Sequence, residues 1–450
     1  MRTPAEHPLH RPGQASAKSG FALIAAVMVG LTIMTLAAAW IAAIIARGRV
    51  ADVRQNRLQA EYTARSGIVK FIRSLGAGGQ HDVSTPQQWE EQVFADGEKC
   101  GMEASLAYGF AQVAAIGTSR GARHVERVRL GLSPDSLFPE ALASADPRGV
   151  ILEPGAAIEG DIAAPAAPQN WGGVWRGKHK TMAALIGLKT GSLDQALSAF
   201  QDVLSNPRRA DVELFSTQVF GPERRMPPGR VIYVNDNILV ESLDPEARFG
   251  ETGPKTLAGT ADVQVSGWAR LEKITIVAAG RITVAGEASL ADCILYSPQE
   301  IVITDNARFS GMLFSLMDIR LSGRAAVRGP ALAYSPGNPS GRITVSDGTA
   351  FSGSIIFAGQ IAPSSGVFIE PGASVNGLVY SSGNASIEGA VNGAAAAARL
   401  CRPGADTLQN NKLGGRIDRR RMPRMALPLC FDVKAGGGWY LPEESGIASD

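Results

Sequence analysis

The chain has little material for metal or redox chemistry. Among 450 residues there are four Cys and five His, and no two Cys form a CxxC pair. Neither a zinc ribbon nor a disulfide-stapled small fold is therefore encoded. Aromatic residues are only 6% of the chain, so its interior must be filled by aliphatic and small side chains. Net charge is almost absent. Forty-four Lys and Arg against 42 Asp and Glu leave +2, too weak a field for a protein built to coat nucleic acid. No Gly-rich loop follows a strand and opens a helix, which removes the usual basis for nucleotide binding and leaves no cofactor to expect. What is plentiful is apolar residues, at 45%, together with 51 Gly and 26 Pro. That mixture describes a large, turn-rich core rather than a disordered chain.

The apolar material is concentrated first near the N-terminus. From Phe21 to Ala46 there are 26 residues without a charge, bracketed by Lys18 and Arg47. As a helix this run spans roughly 39 Å, more than the ~30 Å hydrocarbon core of a bilayer. A signal peptide cut after Ala37-Ala38-Ala39 would have a much shorter apolar region. No proline interrupts Phe21–Leu75. Beyond Ala46, Val50, Val53, Leu58, Tyr62, Ile68, Val69, Ile72 and Leu75 recur at helical steps among arginines. The spacing predicts one continuous helix over 21–76, membrane-spanning in its first half and amphipathic in its second, ended by Gly76, Gly78 and Gly79.

Lys18-Ser19-Gly20-Phe21-Ala22-Leu23-Ile24 resembles the processing site of type IV pilin-like proteins. In that family a prepilin peptidase cuts after the Gly and the new N-terminal Phe is methylated. The resemblance implies a leader over 1–20, a cut after Gly20 and a mature N-terminus at Phe21. The fifth mature position, usually Glu in major pilins, is Ala25, as in tip-located minor pseudopilins and some minor pilins of the PilX-like group. Without that carboxylate a subunit in mid-fibre would leave a neighbour's buried amine unpaired. The resemblance therefore implies a low-copy subunit that partners other pilins through its helix. Residues 80–132 read as a small β head with strands over Cys100–Tyr108, Ala111–Ile116 and Val125–Leu130. The phrase Val113–Thr118 followed by Arg123–Glu126 is similar to the hairpin after the helix in many pilin-like proteins. His124 is expected as a solvated surface residue.

A repeat dominates the rest of the chain. The unit is Ala, any, apolar, any, Gly, then a short apolar strand ending in an aromatic. Its apolar centres Leu290, Phe309, Val327, Phe351 and Val375 lie 19, 18, 24 and 24 residues apart. A second alternating strand precedes each unit, as in Ile301/Ile303 and Ile343/Val345. Short strands at a fixed period, joined by Gly and Asn turns, predict a right-handed parallel β-helix over 148–395. Glu153-Pro154-Gly155-Ala156 recurs as Glu370-Pro371-Gly372-Ala373, which marks 148–164 as a first coil and 166–229 as an insertion. In that insertion Ser192 and Gln195 form a capping box for a helix burying Leu193, Leu197, Phe200 and Leu204. Tyr296, Phe314, Tyr334, Phe357 and Tyr380 are expected to stack as a column. Residues 396–450 form a basic tail or cap.

Candidates for chemistry are few. A β-helical glycan-degrading enzyme needs carboxylates lined up on neighbouring coils, and Asp292, Asp305, Asp318 and Asp347 do not fall in one column. No catalytic residue and no metal site is assigned. The densest basic run, Arg416, Arg419, Arg420, Arg421 and Arg424, is a solvated loop or a candidate anion-binding strip, with no interleaved aromatic to stack bases. Cys401 and Cys430 enclose it; in an oxidising compartment they would close a loop worth about 3–4 kcal/mol. The fold expected is α+β: a long N-terminal helix, a small β head and a β-helix. The expected role is a non-enzymatic minor pilin-like or pseudopilin-like subunit of a type IV pilus or type II secretion-like assembly. Its partners would be prepilin peptidase, other pilins, the inner membrane and a surface or anionic ligand. The alternatives are an inner-membrane-anchored envelope scaffold and a surface glycan-active enzyme.

Overall fold

The computed structural model describes residues 16–76, 87–93, 99–222, 226–227, 229–244, 255–336, 341–346, 348–362, 364–403, 408–431 and 439–440. The chain divides into two compact units. One takes in the residues up to Ile68 with Trp89–Met102 and Ala115–Glu126; the other takes in Val69–Gln88, Glu103–Ala114 and everything from Arg127.

Helix α1 spans Ser16–Gly76, 61 residues or about 90 Å. It begins five residues before the expected start and ends at the expected glycine. Every side chain from Ile24 to Val50 is exposed, so no described residue shields this stretch of the apolar run. Burial begins one turn after Arg57, at Ala60, Thr63, Ala64 and Ile68. These are small residues on one face of the helix, and the strand backbone comes directly against them. A Cβ at Gly117 would lie 1.9 Å from the Ala60 carbonyl oxygen. Strands β1 (Gln87–Gln92), β2 (Lys99–Ala107), β3 (Phe110–Ser119) and β4 (Ala122–Leu132) form a sheet in that order, and the short strand Trp439–Tyr440 pairs antiparallel with β4. Three of these strands match the sequence reading, and β1 lies outside it.

The C-terminal region is one very large, mainly parallel sheet of β-helix-like form, with 26 strands among the described residues. Each strand pairs with the one a coil later. On the first face Leu290 pairs with Phe309, Phe309 with Val327, Val327 with Phe351 and Phe351 with Val375, the same centres that mark the repeat. The second face runs through Leu295, Leu313, Ala333, Ile355 and Val379, and the third through Ile282, Ile301, Ile319, Ile343 and Val367. Strand alternation turns these residues into one continuous aliphatic core, nearly all of it without solvent access. Between the first and second faces the chain turns at glycines. Gly353, Gly377 and Gly393 have φ of 148°, 147° and 157°, and a Cβ at each would lie within 2.0 Å of the carbonyl oxygen one coil before. No larger residue fits at these three positions; the coils that carry Cys293 and Ala331 at the same corner have a bulge there instead.

Three expectations are corrected. The first coil in sequence is not at the start of the stack. Residues 142–144 pair with Ala395–Ala397, and Ala157–Glu159 pairs with Arg416–Asp418, so the N-terminal coil sits beyond the C-terminal one. Val174–Arg176 and His179–Thr181 add one more coil there, while Val212–Leu214 and Gln218–Phe220 start the opposite end. Residues 166–229 are thus two end coils and the strap joining them. Equivalent coil sequences can stack at either end of a solenoid, because periodicity carries no record of order.

The aromatic column is also different. It runs Tyr296, Phe314, Tyr334, Ile356 and Tyr380; Phe357 faces the inner core. Ile356 lies five residues past the centre Phe351, as Phe314 does past Phe309 and Tyr380 past Val375, so strand alternation turns Ile356 outward and Phe357 inward. This column faces outward from the second face, and helix α2 (Gly191–Ser205) of the strap covers it with Leu193, Ala196, Leu197 and Phe200. Phe200 stacks on Tyr296 at 5.1 Å, and the Tyr334 hydroxyl donates to Asp194 Oδ1 at 3.0 Å. Third, the N-cap position of α2 is Thr190 and not Ser192; the Thr190 hydroxyl makes no capping bond to the helix backbone and donates instead to Asp194 Oδ2 at 2.6 Å. Leu204 is only half-buried.

Candidate functional site

The expected processing residues Gly20 and Phe21 lie within α1, near its start. From Ile24 onward the helix has a stretch of mean hydropathy 2.2, none of it buried within the chain, which makes it a candidate membrane span. The first arginines, Arg47 and Arg49, mark where it becomes polar. Further along, Arg65 pairs with Glu61 one turn before it at 2.9 Å and reaches Glu126 at 3.7 Å. His124 is half-buried with Nε2 3.1 Å from Glu126 Oε2, so it is held by a carboxylate and is not freely solvated.

The basic run is neither a tail nor a free strip. Arg416–Asp418 is a strand of the first face, and Arg419–Arg421 is a single 3-10 turn capped by the Asp418 side chain. Arg416 and Arg421 both pair with Asp418, at 3.2 and 3.1 Å, Arg419 pairs with Asp135, and Arg420 with Glu159. Four of the five arginines are thus paired, two within their own turn and two, Arg419 and Arg420, joining the last coil to Asp135 and Glu159. Glu153 makes a similar joint, accepting from Arg402 Nη1 at 2.7 Å and Lys412 Nζ at 2.9 Å. Burial opposes its ionisation, but bonds from Lys412 and Arg402 outweigh that and hold its carboxyl below the usual range. Asp146 is treated in the same way by Arg148 and Arg399. Asp418 lies within the run itself, whereas Asp135 and Glu159 are more than 250 residues away in sequence, which is why composition around 416–424 could not reveal their part in the neutralisation.

The acidic candidates do not assemble. Asp305 has a left-handed backbone at a turn and accepts from the Gly286 amide at 3.0 Å. Asp318 opens a third-face strand and accepts from the Arg342 amide at 3.0 Å. Asp347 lies outside the described residues. Asp292 sits alone at the corner bulge between Leu290 and Cys293, with φ 51°, its amide donating to Ser310 Oγ at 3.0 Å. No group of three or more His, Cys, Asp or Glu that could hold a metal occurs among the described residues. Cys401 and Cys430 are both buried free thiols, as are Cys100 and Cys293. Cys401 is on a strand next to Leu400, whereas Cys430 belongs to the apolar layer outside the second face. Burial pushes the Cys401 and Cys293 thiols up to about 12, and that of Cys430 higher.

Described residues line two further cavities. A shallow groove of about 510 Å³ runs beside the strap at Leu185–Leu188, floored by Tyr380 and Ser382. A smaller pocket of about 160 Å³ opens at the first-face corner, lined by Arg129, Asp292, Ser310, Met312 and Arg328. No family model, no curated protein and no solved structure matches the chain.

Proposed function

We propose that the chain is a minor pilin-like or pseudopilin-like subunit, inserted in the inner membrane and then drawn by its helix into a type IV pilus or type II secretion-like fibre. The observation that carries this reading is α1. Its charge-free segment begins directly after the Lys18-Ser19-Gly20 site, has no shielding from the other described residues, and passes without a break into a polar, partly packed half. Such a rod can be held by lipid first and by neighbouring rods later, since both offer an apolar surround. Prepilin peptidase would cut after Gly20 and leave Phe21 as the mature N-terminus. Ala25 supplies no carboxylate, which favours a tip or accessory place over mid-fibre. The β2–β4 hairpins seated on Ala60 and Ala64 would be the pilin-like head, and the coils a right-handed parallel β-helix displayed by the subunit.

The coil region is read as a module for binding and assembly and not as an enzyme, because Asp292, Asp305 and Asp318 serve separate turns and strands. An inner-membrane-anchored envelope scaffold is the second reading; the same exposed helix supports it, without processing. Co-expression with active or inactive prepilin peptidase separates them. Wild type is expected to lose the mass of residues 1–20 only with active peptidase, and Gly20→Ala to lose nothing. Wild type that keeps its full mass beside active peptidase would leave only the scaffold reading.

A further inference from the structure

The three faces of the coil differ in what covers them. The second face lies under α2 and the 425–431 segment. The third neutralises itself, with Glu300 bridging Arg281 at 2.7 Å and Arg320 at 3.0 Å across three coils. Among the described residues, the first face carries neither a cover of this kind nor such a bridge in its central coils. Its outward positions follow from the register. One row holds Arg308, Ala326, Ala350, Ser374 and Ala390; the other holds Ser310 and Arg328, is interrupted by the bulge between Val327 and Ala331, and resumes as Ser352, Asn376 and Asn392. Arg308 and Arg328 are exposed and pair with no carboxylate among the described residues; the rest of both rows is half-exposed.

The rows make a shallow trough of small side chains with cations at one end. Along its floor Asn392 Nδ2 donates to Asn376 Oδ1 at 2.7 Å, so the amides are aligned as a ladder. Four strand spacings of ~4.8 Å give a length of about 19 Å. At the cationic end lies the 160 Å³ pocket, where Arg129 rests over the Phe110 ring at 5.6 Å and Arg328 forms another wall. Two guanidiniums there, Arg129 and Arg328, meet a single carboxylate, Asp292.

We propose that this face binds an acidic polysaccharide segment, with a uronate carboxylate held in the Arg129–Arg328 pocket and the sugar hydroxyls along the Ser352–Asn376–Asn392 row. Guanidinium forks recognise carboxylates in two-point fashion. Amides and hydroxyls on a flat, regular surface are suited to sugar hydroxyls. Single-stranded nucleic acid fits less well, because neither row contains an aromatic on which a base could stack. The proposal does not depend on the fibre reading, since it concerns only the surface of the coil region.

The test is calorimetric titration of the full chain in detergent with a defined oligogalacturonate, beside a neutral chito-oligosaccharide, inorganic phosphate and a single-stranded oligonucleotide. Oligogalacturonate is expected to bind in preference to the other three. Arg308→Gln and Arg328→Gln should each weaken it about 10- to 100-fold, as for loss of a hydrogen bond to a charged group. Asp292→Asn should tighten it, and Arg281→Gln on the third face should change nothing, with circular dichroism confirming that each variant is folded. Absence of oligogalacturonate binding would overturn the proposal. So would equal binding of phosphate alone, stronger binding of the oligonucleotide, or an equal loss in Arg281→Gln.

Discussion

Adding one methyl group at Gly377 should cost this protein a large share of its stability. The Cβ of an alanine there would lie 2.0 Å from the Gly353 carbonyl oxygen, whereas real Cβ contacts do not come under 3.0 Å. One ångström or more must be found within a ladder whose strands are only ~4.8 Å apart. Met425 Sδ, 3.0 Å away on the outer side, blocks the direct escape. Holding a non-glycine residue at φ 147° costs about 1–3 kcal/mol, and over-packing adds about 1–3 kcal/mol. A loss of about 3–5 kcal/mol is expected, against a total of about 5–15 kcal/mol for an ordinary domain. Urea denaturation of detergent-solubilised protein, followed by far-UV circular dichroism, measures it. Asn376→Ala is the control, and should lose no more than about 1.5 kcal/mol, the worth of its ladder hydrogen bond. If Gly377→Ala loses less than 1 kcal/mol, the corner is looser than described and the close-approach argument fails.

Other outcomes follow from the same structure. Phe314→Ala opens the fully buried layer beneath α2 and should cost about 3–5 kcal/mol, while Tyr334→Phe loses only the bond to Asp194 and should cost about 1 kcal/mol in the same denaturation assay. Glu153→Gln should cost about 1–3 kcal/mol at neutral pH. Because the folded carboxyl titrates below its unfolded value, the wild-type advantage is complete above the unfolded pKa of ~4.3 and shrinks as pH falls through the folded one. Unfolding curves of the two proteins should therefore converge in acid; a gap that widens as pH falls would refute the assignment. Cys293, Cys401 and Cys430 should be inert to a thiol reagent at pH 8 until the chain unfolds, since burial keeps them protonated. Rapid native-state labelling at any of them, mapped by mass spectrometry, would contradict their placement.

The parts of this fold that were legible in sequence are those written as periodicity. The run from Phe21 to Ala46 and the unbroken pattern to Leu75 described α1, and the centres Leu290, Phe309, Val327, Phe351 and Val375 are true ladder partners. What failed was information that periodicity does not hold. Nothing about Ala157-Ile158-Glu159 tells whether it stacks before Ser289 or after Arg416. Tyr296 and Phe357 both lie six residues past their centres, but the extra residue at Asp292 bulges the coil of Tyr296 and not that of Phe357, so Phe357 turns inward and Ile356 takes the outward place. The role of Leu193 and Phe200 as a cover for Tyr296 and Phe314 depends on a strap crossing several coils, a long-range pairing with no local signal. Arginines 416–421 looked free because Asp135 and Glu159, which hold two of them, are more than 250 residues away in sequence. The pocket at Arg129 and Arg328 was hidden for the same reason.

The central functional claim rests on what becomes of the apolar helix once the chain is made. Sequencing the N-terminus of native protein extracted from membranes or sheared fibres reads this directly. The account predicts that the first residue is Phe21, carrying a methyl group on its amine. A sequence beginning at Trp40, with the helix removed, or an intact Met1 in cells with active prepilin peptidase, would contradict it.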